Sequence, residues 1–375
     1  MTRVLVVTND FPPRPGGIQT FVYELIRRLP PEDVTVYCSK FRGWEEFDAA
    51  QQFQVVREDT SVLLPTRSVR RRAAELLRET ASTAVLFGAA APLGLMGNDL
   101  RDAGAKRIVA LTHGHEAGWA AFPGPRQVLR RIGDRVDVMT YLGEYTRSRI
   151  ARALSPAAAA RMVRLTPGVD TDRFRRDVDG GPVRDRYGLG DRPVVVCVSR
   201  LMPRKGQDTL IKALPEIRRR VPDTALLLVG GGPYRKKLQQ LAQRLGVAEH
   251  VIFTGSVPYA ELPMHFAAGD VFAMPCRTRN AGLDVEGLGI VFLEASATGL
   301  PVVAGDSGGA PDAVLDAETG FVVAGRDGSG IAGPVGTLLT DRDIARRLGS
   351  RGRSWVLSHW GWDRQVSALR AILDQ

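Results

Sequence analysis

Cysteine is scarce: the 375 residues hold three, Cys38, Cys197 and Cys276. They are far apart, none forms a C-x-x-C pair, and two stand at the ends of apolar strand-like runs. That spacing excludes a disulfide framework and a cysteine metal site, and the three read as reduced packing residues. Uninterrupted apolar runs of about 18 residues, the length a membrane-spanning helix needs, are also missing. The start, MTRVLVVTND, passes from one arginine straight into a strand pattern, unlike a secretory signal, so the expected location is the cytoplasm. Aromatics make up only 7% of the chain, and neither a zinc-finger nor an RNA-binding signature occurs. The excess of 51 Lys+Arg over 41 Asp+Glu, a net charge of +10, therefore points to phosphorylated ligands or an anionic membrane surface rather than nucleic acid.

What is present is an ordinary globular composition, 44% hydrophobic and 25% charged, on a chain long enough for two domains with their own cores. The basic charge is uneven. Arg67, Arg70, Arg71 and Arg72 cluster in TRSVRRRAAELLRE, and Arg126, Arg130 and Arg131 in PRQVLRRIG. Each segment has helical spacing, with Val69, Ala73, Leu76 and Leu77 on one apolar face and Val128, Leu129 and Ile132 on the other segment's. Such helices are either solvated covers of a core or surfaces for an anionic leaflet.

The run RVLVVTN (3–9), the loop DFPPRPGGIQ and a helical pattern over 18–29 open the chain as strand, glycine-rich loop and helix. The loop lacks the G-x-G-x-x-G dinucleotide fingerprint, but Gly16 and Gly17 leave its backbone open to a phosphate or sugar. Strand-like runs recur at VTVYC, AVLFG, RIVALT, DVMTYL and MVRLT, the alternation of one parallel α/β unit. RIVALT runs into HGHEAGW, which sets His113, His115 and Glu116 just past a strand's carboxyl end, where open α/β sheets bind ligands. With no third ligand recognisable as a metal partner, a substrate-contacting or a packed structural histidine is the better reading.

Residues 167–192 are polar and rich in Gly, Asp and Arg and read as a linker, in which Asp170 and Asp172 serve turns and caps rather than a metal. The alternation then restarts with PVVVCVS, ALLLVGGGP, VIFTGSVP, DVFAMP and PVVAGDSGGAP, a second doubly wound domain. PVVVCVS ends in RLMPRKGQD, so Arg200 stands at the strand end and Lys205 at the entrance to a helix, a planar fork and a point charge suited to a diphosphate.

The segment RNAGLDVEGLGIVFLEASAT (279–298) carries two carboxylates, Glu286 and Glu294, with seven residues between them. Ile290, Val291, Leu293 and Ala297 recur at helical spacing, and Gly287 and Gly289 bend the chain before a helix expected to start near Leu288. Glu286 then precedes the helix, and Glu294 follows its start by about 9 Å at 1.5 Å per residue. The free N–H groups and positive dipole end between them suit a pyrophosphate. Lying among Phe292, Leu293 and Ala295, Glu294 is expected to be buried and to need a partner, such as a ligand hydroxyl.

Together, Gly16-Gly17-Ile18, S-R-L-x-P-R-K-G at 199–206 and E-G-L-G-I-V-F-L-E-A at 286–295 resemble the retaining glycosyltransferases of the GT-B architecture, over nearly the whole chain. TNDFPPRPGGIQ, FGAAAPLGLM, THGHEAGW and RTRNAGLDVEGLGIVFLEA are similar, more narrowly, to the actinobacterial phosphatidylinositol mannosyltransferases that add the second mannose. The resemblance implies two Rossmann-like domains facing a cleft: an acceptor domain over 1–166 with a C-terminal helix, 360–375, packed back on it, and a donor domain over 193–359. It implies GDP-mannose as donor, a phosphatidylinositol monomannoside lipid as acceptor, no metal, and attachment to the cytoplasmic face of the membrane. By the same resemblance Glu286 holds the mannose hydroxyls, Glu294 the ribose, and Arg200 and Lys205 the diphosphate, with the backbone of Gly287, Leu288, Gly289 and Ile290 beside it. The Gly16–Gly17 loop approaches the phosphate, the loop from Gly255 to Val257 holds the base, and His113, with His115 less directly, contacts the sugar. The loop RTRNAG (277–282) is where donors and acceptors differ among such enzymes. A UDP-glucose or UDP-N-acetylglucosamine transferase, or a nucleotide-sugar epimerase, shares the fold and the diphosphate site.

Overall fold

A computed structural model describes residues 2–375. The chain divides into two compact units, residues 2–168 with Trp362–Gln375, and Val169–Gly361.

The first unit is built on a parallel sheet of β1 (Val4–Thr8), β2 (Val34–Ser39), β3 (Gln54–Glu58), β4 (Ala84–Phe87), β5 (Arg107–Ala110), β6 (Val138–Tyr141) and β7 (Val163–Arg164). The order is β3-β2-β1-β4-β5-β6-β7. β1 reads VLVVT and is buried along its whole length, as a central parallel strand covered on both faces must be. It pairs Val4 with Val34 on one side and with Ala84 on the other. The winding therefore reverses between β1 and β4, the position where doubly wound sheets open a crevice at their strand ends. The expected apolar faces form: Val69, Ala73, Leu76 and Leu77 are buried on the helix Arg67–Glu79, and Leu129 and Ile132 on the helix Pro123–Gly133. The C-terminal helix Trp362–Leu373 belongs to this unit, where Gln365 Oε1 accepts a bond from Thr166 Oγ1 at 3.1 Å and Arg107 Nε donates to Ile372 O at 2.8 Å.

The second unit repeats the plan with β8 (Val194–Val198), β9 (Ala225–Val229), β10 (Val251–Gly255), β11 (Val271–Met274), β12 (Val302–Gly305) and β13 (Gly320–Val323), in the order β10-β9-β8-β11-β12-β13. Its reversal lies between β8 and β11. The stretch 167–192, expected as the linker between the domains, crosses the unit boundary at Val169. Residues from Val169 onward fold into this unit, with a helix at Gly181–Arg186 and with Phe174, Val183 and Leu189 fully buried, because three large apolar side chains spaced through a polar stretch suffice to anchor it. Asp170 serves a turn here, its Oδ1 accepting the Arg173 N–H at 3.0 Å. All three cysteines are buried, and burial pushes each thiol up to about 12. No helix among the described residues is long and apolar enough to cross a membrane.

Candidate functional site

In the second unit the loops after β8, β11 and β12 converge. Gly206 has φ of 78°, and a Cβ on it would lie 2.0 Å from Pro275 O, so only glycine lets the loop after β8 lie against the end of β11. Gln207 fixes the same loop from the other side, its Nε2 donating to Ser199 Oγ at 2.8 Å and to Arg200 O at 3.0 Å. This closure presents Lys205 to Glu286: Nζ donates to Oε2 at 2.6 Å, with only 12% and 9% of the two side chains exposed. Arg204 adds a second cation, its Nε 3.9 Å from the same carboxylate oxygen and its Nη1 3.5 Å from Asp284. Arg200 is exposed and pairs with no carboxylate among the described residues.

Glu286 is held by its backbone as well. Its N–H donates to Ser307 Oγ at 3.3 Å, and its carbonyl accepts the Gly309 N–H at 2.9 Å. A Cβ on Gly308 would sit 2.1 Å from Glu286 O, and one on Gly309 2.1 Å from Gly287 O. The loop after β12 is thus a glycine clamp on the E-G pair, a part of the site that the sequence reading passed over, although the doublet in DSGGAP signals it.

The helix after Glu286 begins at Ile290, two residues later than expected, because Gly289 takes a left-handed conformation with φ of 79° and becomes the N-cap. Glu294 is then the fifth helical residue. It is 6% exposed among buried Phe292, Leu293 and Ala295, and desolvation alone pushes its carboxyl up to about 8. Arg277 ties the loop after β11 to the helix Gln207–Arg220 through a two-pronged pair with Asp208 at 2.8 and 2.9 Å and a bond to Thr209 Oγ1 at 2.8 Å. Gly255 closes β10 and accepts the Gly230 N–H at 2.9 Å, and a Cβ on Gly231 would meet Ser256 Oγ at 2.5 Å, so Gly255 to Val257 lies beside the glycine loop after β9.

In the first unit Gly16 and Gly17 differ. A Cβ on Gly16 would lie 2.1 Å from Gln19 Oε1, whose amide donates to Asp10 Oδ1 at 2.7 Å, whereas one on Gly17 would meet nothing within 4 Å. Local packing explains the first glycine, while the space beside the second is open. His113, at the end of β5, sets its Nε2 2.6 Å from Gly88 O and its ring edge-on to Phe21 at 5.6 Å. A carbonyl can only accept, so Nε2 carries the proton and Nδ1 of the neutral ring is an acceptor. Desolvation lowers the His113 pKa, with the nearby Glu116 charge opposing it, which favours that neutral ring at neutral pH. His115 is exposed and its ring stacks 6.4 Å from that of His113. No group of three His, Cys, Asp or Glu able to hold a metal occurs among the described residues.

Two doubly wound parallel domains, one gathering Arg204, Lys205 and Glu286 among glycines at its switch point, have the plan of the GT-B glycosyltransferases. Residues 183–355 match the family Glycosyl transferases group 1, and residues 15–173 match Glycosyltransferase Family 4. The GDP-mannose-dependent alpha-(1-6)-phosphatidylinositol monomannoside mannosyltransferase of Mycolicibacterium smegmatis is 57% identical, with 99% of this chain and 98% of that one covered. The Mycobacterium tuberculosis protein of the same name is 54% identical over 100% and 98%. The crystal structure of Anabaena Alr3699/HepE in complex with UDP has the same fold, with a TM-score of 0.84 at 19% identity over the whole of both chains. This chain belongs to the family of the GDP-mannose-dependent alpha-(1-6)-phosphatidylinositol monomannoside mannosyltransferases.

Proposed function

We propose that the chain transfers mannose from GDP-mannose to a phosphatidylinositol monomannoside lipid with retention at the anomeric carbon. The observation that carries this reading is the full-length identity to transferases of that name, together with the Glu286–Lys205 pair inside the glycine clamp. We assign Lys205 and Arg200 to the diphosphate, with the backbone from Gly287 to Ile290 at the helix start beside it. Glu286 accepts from the mannose hydroxyls, Glu294 from the ribose, and the Gly255 to Val257 loop takes the base. In the first unit, taken by itself, we assign His113 Nδ1 as an acceptor for a sugar hydroxyl and the open backbone at Gly17 to a phosphate. In the reaction the acceptor oxygen bonds to the anomeric carbon as the bond to the diphosphate oxygen breaks. That oxygen keeps the electron pair and takes the acceptor proton, while the cations stabilise its developing charge.

Arg200 and Lys205 supply at the diphosphate the charge that a metal supplies in other transferases, so turnover is expected to survive EDTA. GDP should appear only when GDP-mannose and the monomannoside lipid are both present. GDP formed equally without acceptor, turnover with UDP-glucose or UDP-N-acetylglucosamine instead, or loss in EDTA that magnesium restores would each overturn part of the assignment.

We infer further that the protein works at an anionic membrane surface, on the cytoplasmic side, and that the helix Pro123–Gly133 makes the contact. Arg70 pairs with Asp99, Arg71 with Glu75 at 3.7 Å and Arg72 with Glu79 at 2.9 Å, so the first basic cluster is largely neutralised within the fold. Arg130 and Arg131 are exposed and pair with no carboxylate among the described residues, and Phe122, half exposed, precedes their helix. Each free arginine adds about 1 kcal/mol near an anionic leaflet. Binding to anionic vesicles is expected to weaken with salt and with Arg130→Gln/Arg131→Gln, and to change less with Arg70→Gln/Arg72→Gln. Cosedimentation that does not separate the two double variants would sink this placement.

A further inference from the structure

Glu116 is fully buried, an unusual place for a carboxylate that pairs with no arginine or lysine among the described residues. Its two oxygens are used differently. Oε2 accepts two backbone bonds from the loop before it, from the His113 N–H at 2.9 Å and the Gly114 N–H at 3.0 Å. Oε1 is buried without a hydrogen-bond partner and lies 3.5 Å from Nε2 of the exposed His115. Gly114 sits in this turn with φ of 99°, so the chain reverses tightly over the carboxylate. At the other end of His113, Nε2 is fixed on Gly88 O at 2.6 Å. The His113 ring is therefore held from both sides, by a carbonyl at its tip and by a carboxylate under its backbone.

We propose that Glu116 is a positioning residue for His113: its buried carboxylate shapes the His113–Gly114–His115 turn and, by its charge, sets the pH range over which the His113 ring stays in one protonation state. This deepens the assignment of His113 to a sugar hydroxyl and rests on it only where activity is the readout. The charged or titratable groups acting on the His113 ring are Glu116 and Asp10, which favour its protonation, and His115, which opposes it. Desolvation outweighs them and lowers the pKa from 6.5. Removing the Glu116 charge, which favours the protonated ring, lowers it further. Glu116→Gln keeps an oxygen to accept the two backbone N–H groups, so the turn persists while the charge goes.

The test is histidine-selective 15N NMR of the full chain, with the His113 resonances assigned through His113→Asn. In the wild type we expect the Nε2-protonated neutral form at pH 7 and a titration midpoint below 6.5. In Glu116→Gln the midpoint moves lower, and the acidic limb of kcat/KM moves with it. A midpoint that stays put in Glu116→Gln overturns the proposal whatever the activity does. Glu116→Asp, which restores the charge, should return the midpoint toward the wild-type value, and failure to do so also counts against it. If His113→Asn transfers mannose at the wild-type rate, the sugar-contact reading of His113 falls, while a midpoint shift in Glu116→Gln still upholds the positioning role.

Discussion

Glu286→Gln should fold like the wild type and lose mannosyl transfer by about 100-fold or more, the scale of removing one preorganised group from a transition state. The side chain is 9% exposed and its nearest charge partner is close, Lys205 Nζ at 2.6 Å, so an amide of the same shape fills the same space without opening a cavity. The amide accepts less strongly from sugar hydroxyls, and its own NH2 group faces the ammonium. Lys205 is then released toward the diphosphate, so the loss should fall on kcat, with the KM for GDP-mannose unchanged or lower. Lys205→Ala is the complementary case. It removes point charge from the leaving group and leaves Glu286 buried with only Arg204 at 3.9 Å. A loss of similar size is expected, now with a raised donor KM. Steady-state kinetics with thermal melting as a fold check decide both, and near-normal turnover in either variant would remove the Glu286–Lys205 pair from the site.

How far the sequence carried this reading depended on where each residue gets its signal. Strands buried on both faces, such as VLVVT and VVVCV, announce themselves as unbroken apolar runs, and the polar, Pro- and Gly-containing loops that follow them are marked by where those runs end. The edge strands β3, QVVRE, and β13, GFVV, were not expected, because each is short, partly exposed and mixed with polar or glycine residues. Arg200, Lys205, Glu286 and Glu294 could be proposed from the sequence because strand-end position and helix periodicity single them out independently of any partner. The pairing of Lys205 with Glu286 was not, since 81 residues separate them and a parallel crossover brings them together. The same holds for the Gly308–Gly309 clamp, whose reason is the carbonyl of Glu286 and not anything in its own neighbourhood. The helix start was misjudged by two residues because Gly289 in its left-handed conformation extends the bend. Conversely, the first arginine cluster stood out by composition, yet its charge is taken up by Asp99, Glu75 and Glu79, which composition does not reveal.

Donor affinity should rise steeply with pH between 6 and 8 and release about one proton per GDP-mannose bound. The Glu294 carboxyl is pushed up to about 8 from 4.5 by burial, so in the donor-free protein it is mostly protonated at neutral pH. A ribose diol binds best to an ionised carboxylate, which accepts from both hydroxyls. Binding then requires deprotonation, and the ionised fraction grows from about 1% at pH 6 to half at pH 8, an affinity gain of about 50-fold. The same group sets an opposite trend in stability. Its folded pKa lies above its unfolded one, so the contribution is fully present below 4.5 and is lost as pH rises through 8. Glu294→Gln should therefore bind GDP-mannose more weakly than the wild type at pH 8, with a flattened pH dependence, no proton release, and a melting temperature that gains on the wild type as pH rises. Titration calorimetry in buffers of different ionisation enthalpy reads the proton directly. Binding enthalpies that do not vary with the buffer at pH 7, or a wild-type affinity that falls from pH 6 to 8, would mean that Glu294 does not meet the ribose as a carboxylate.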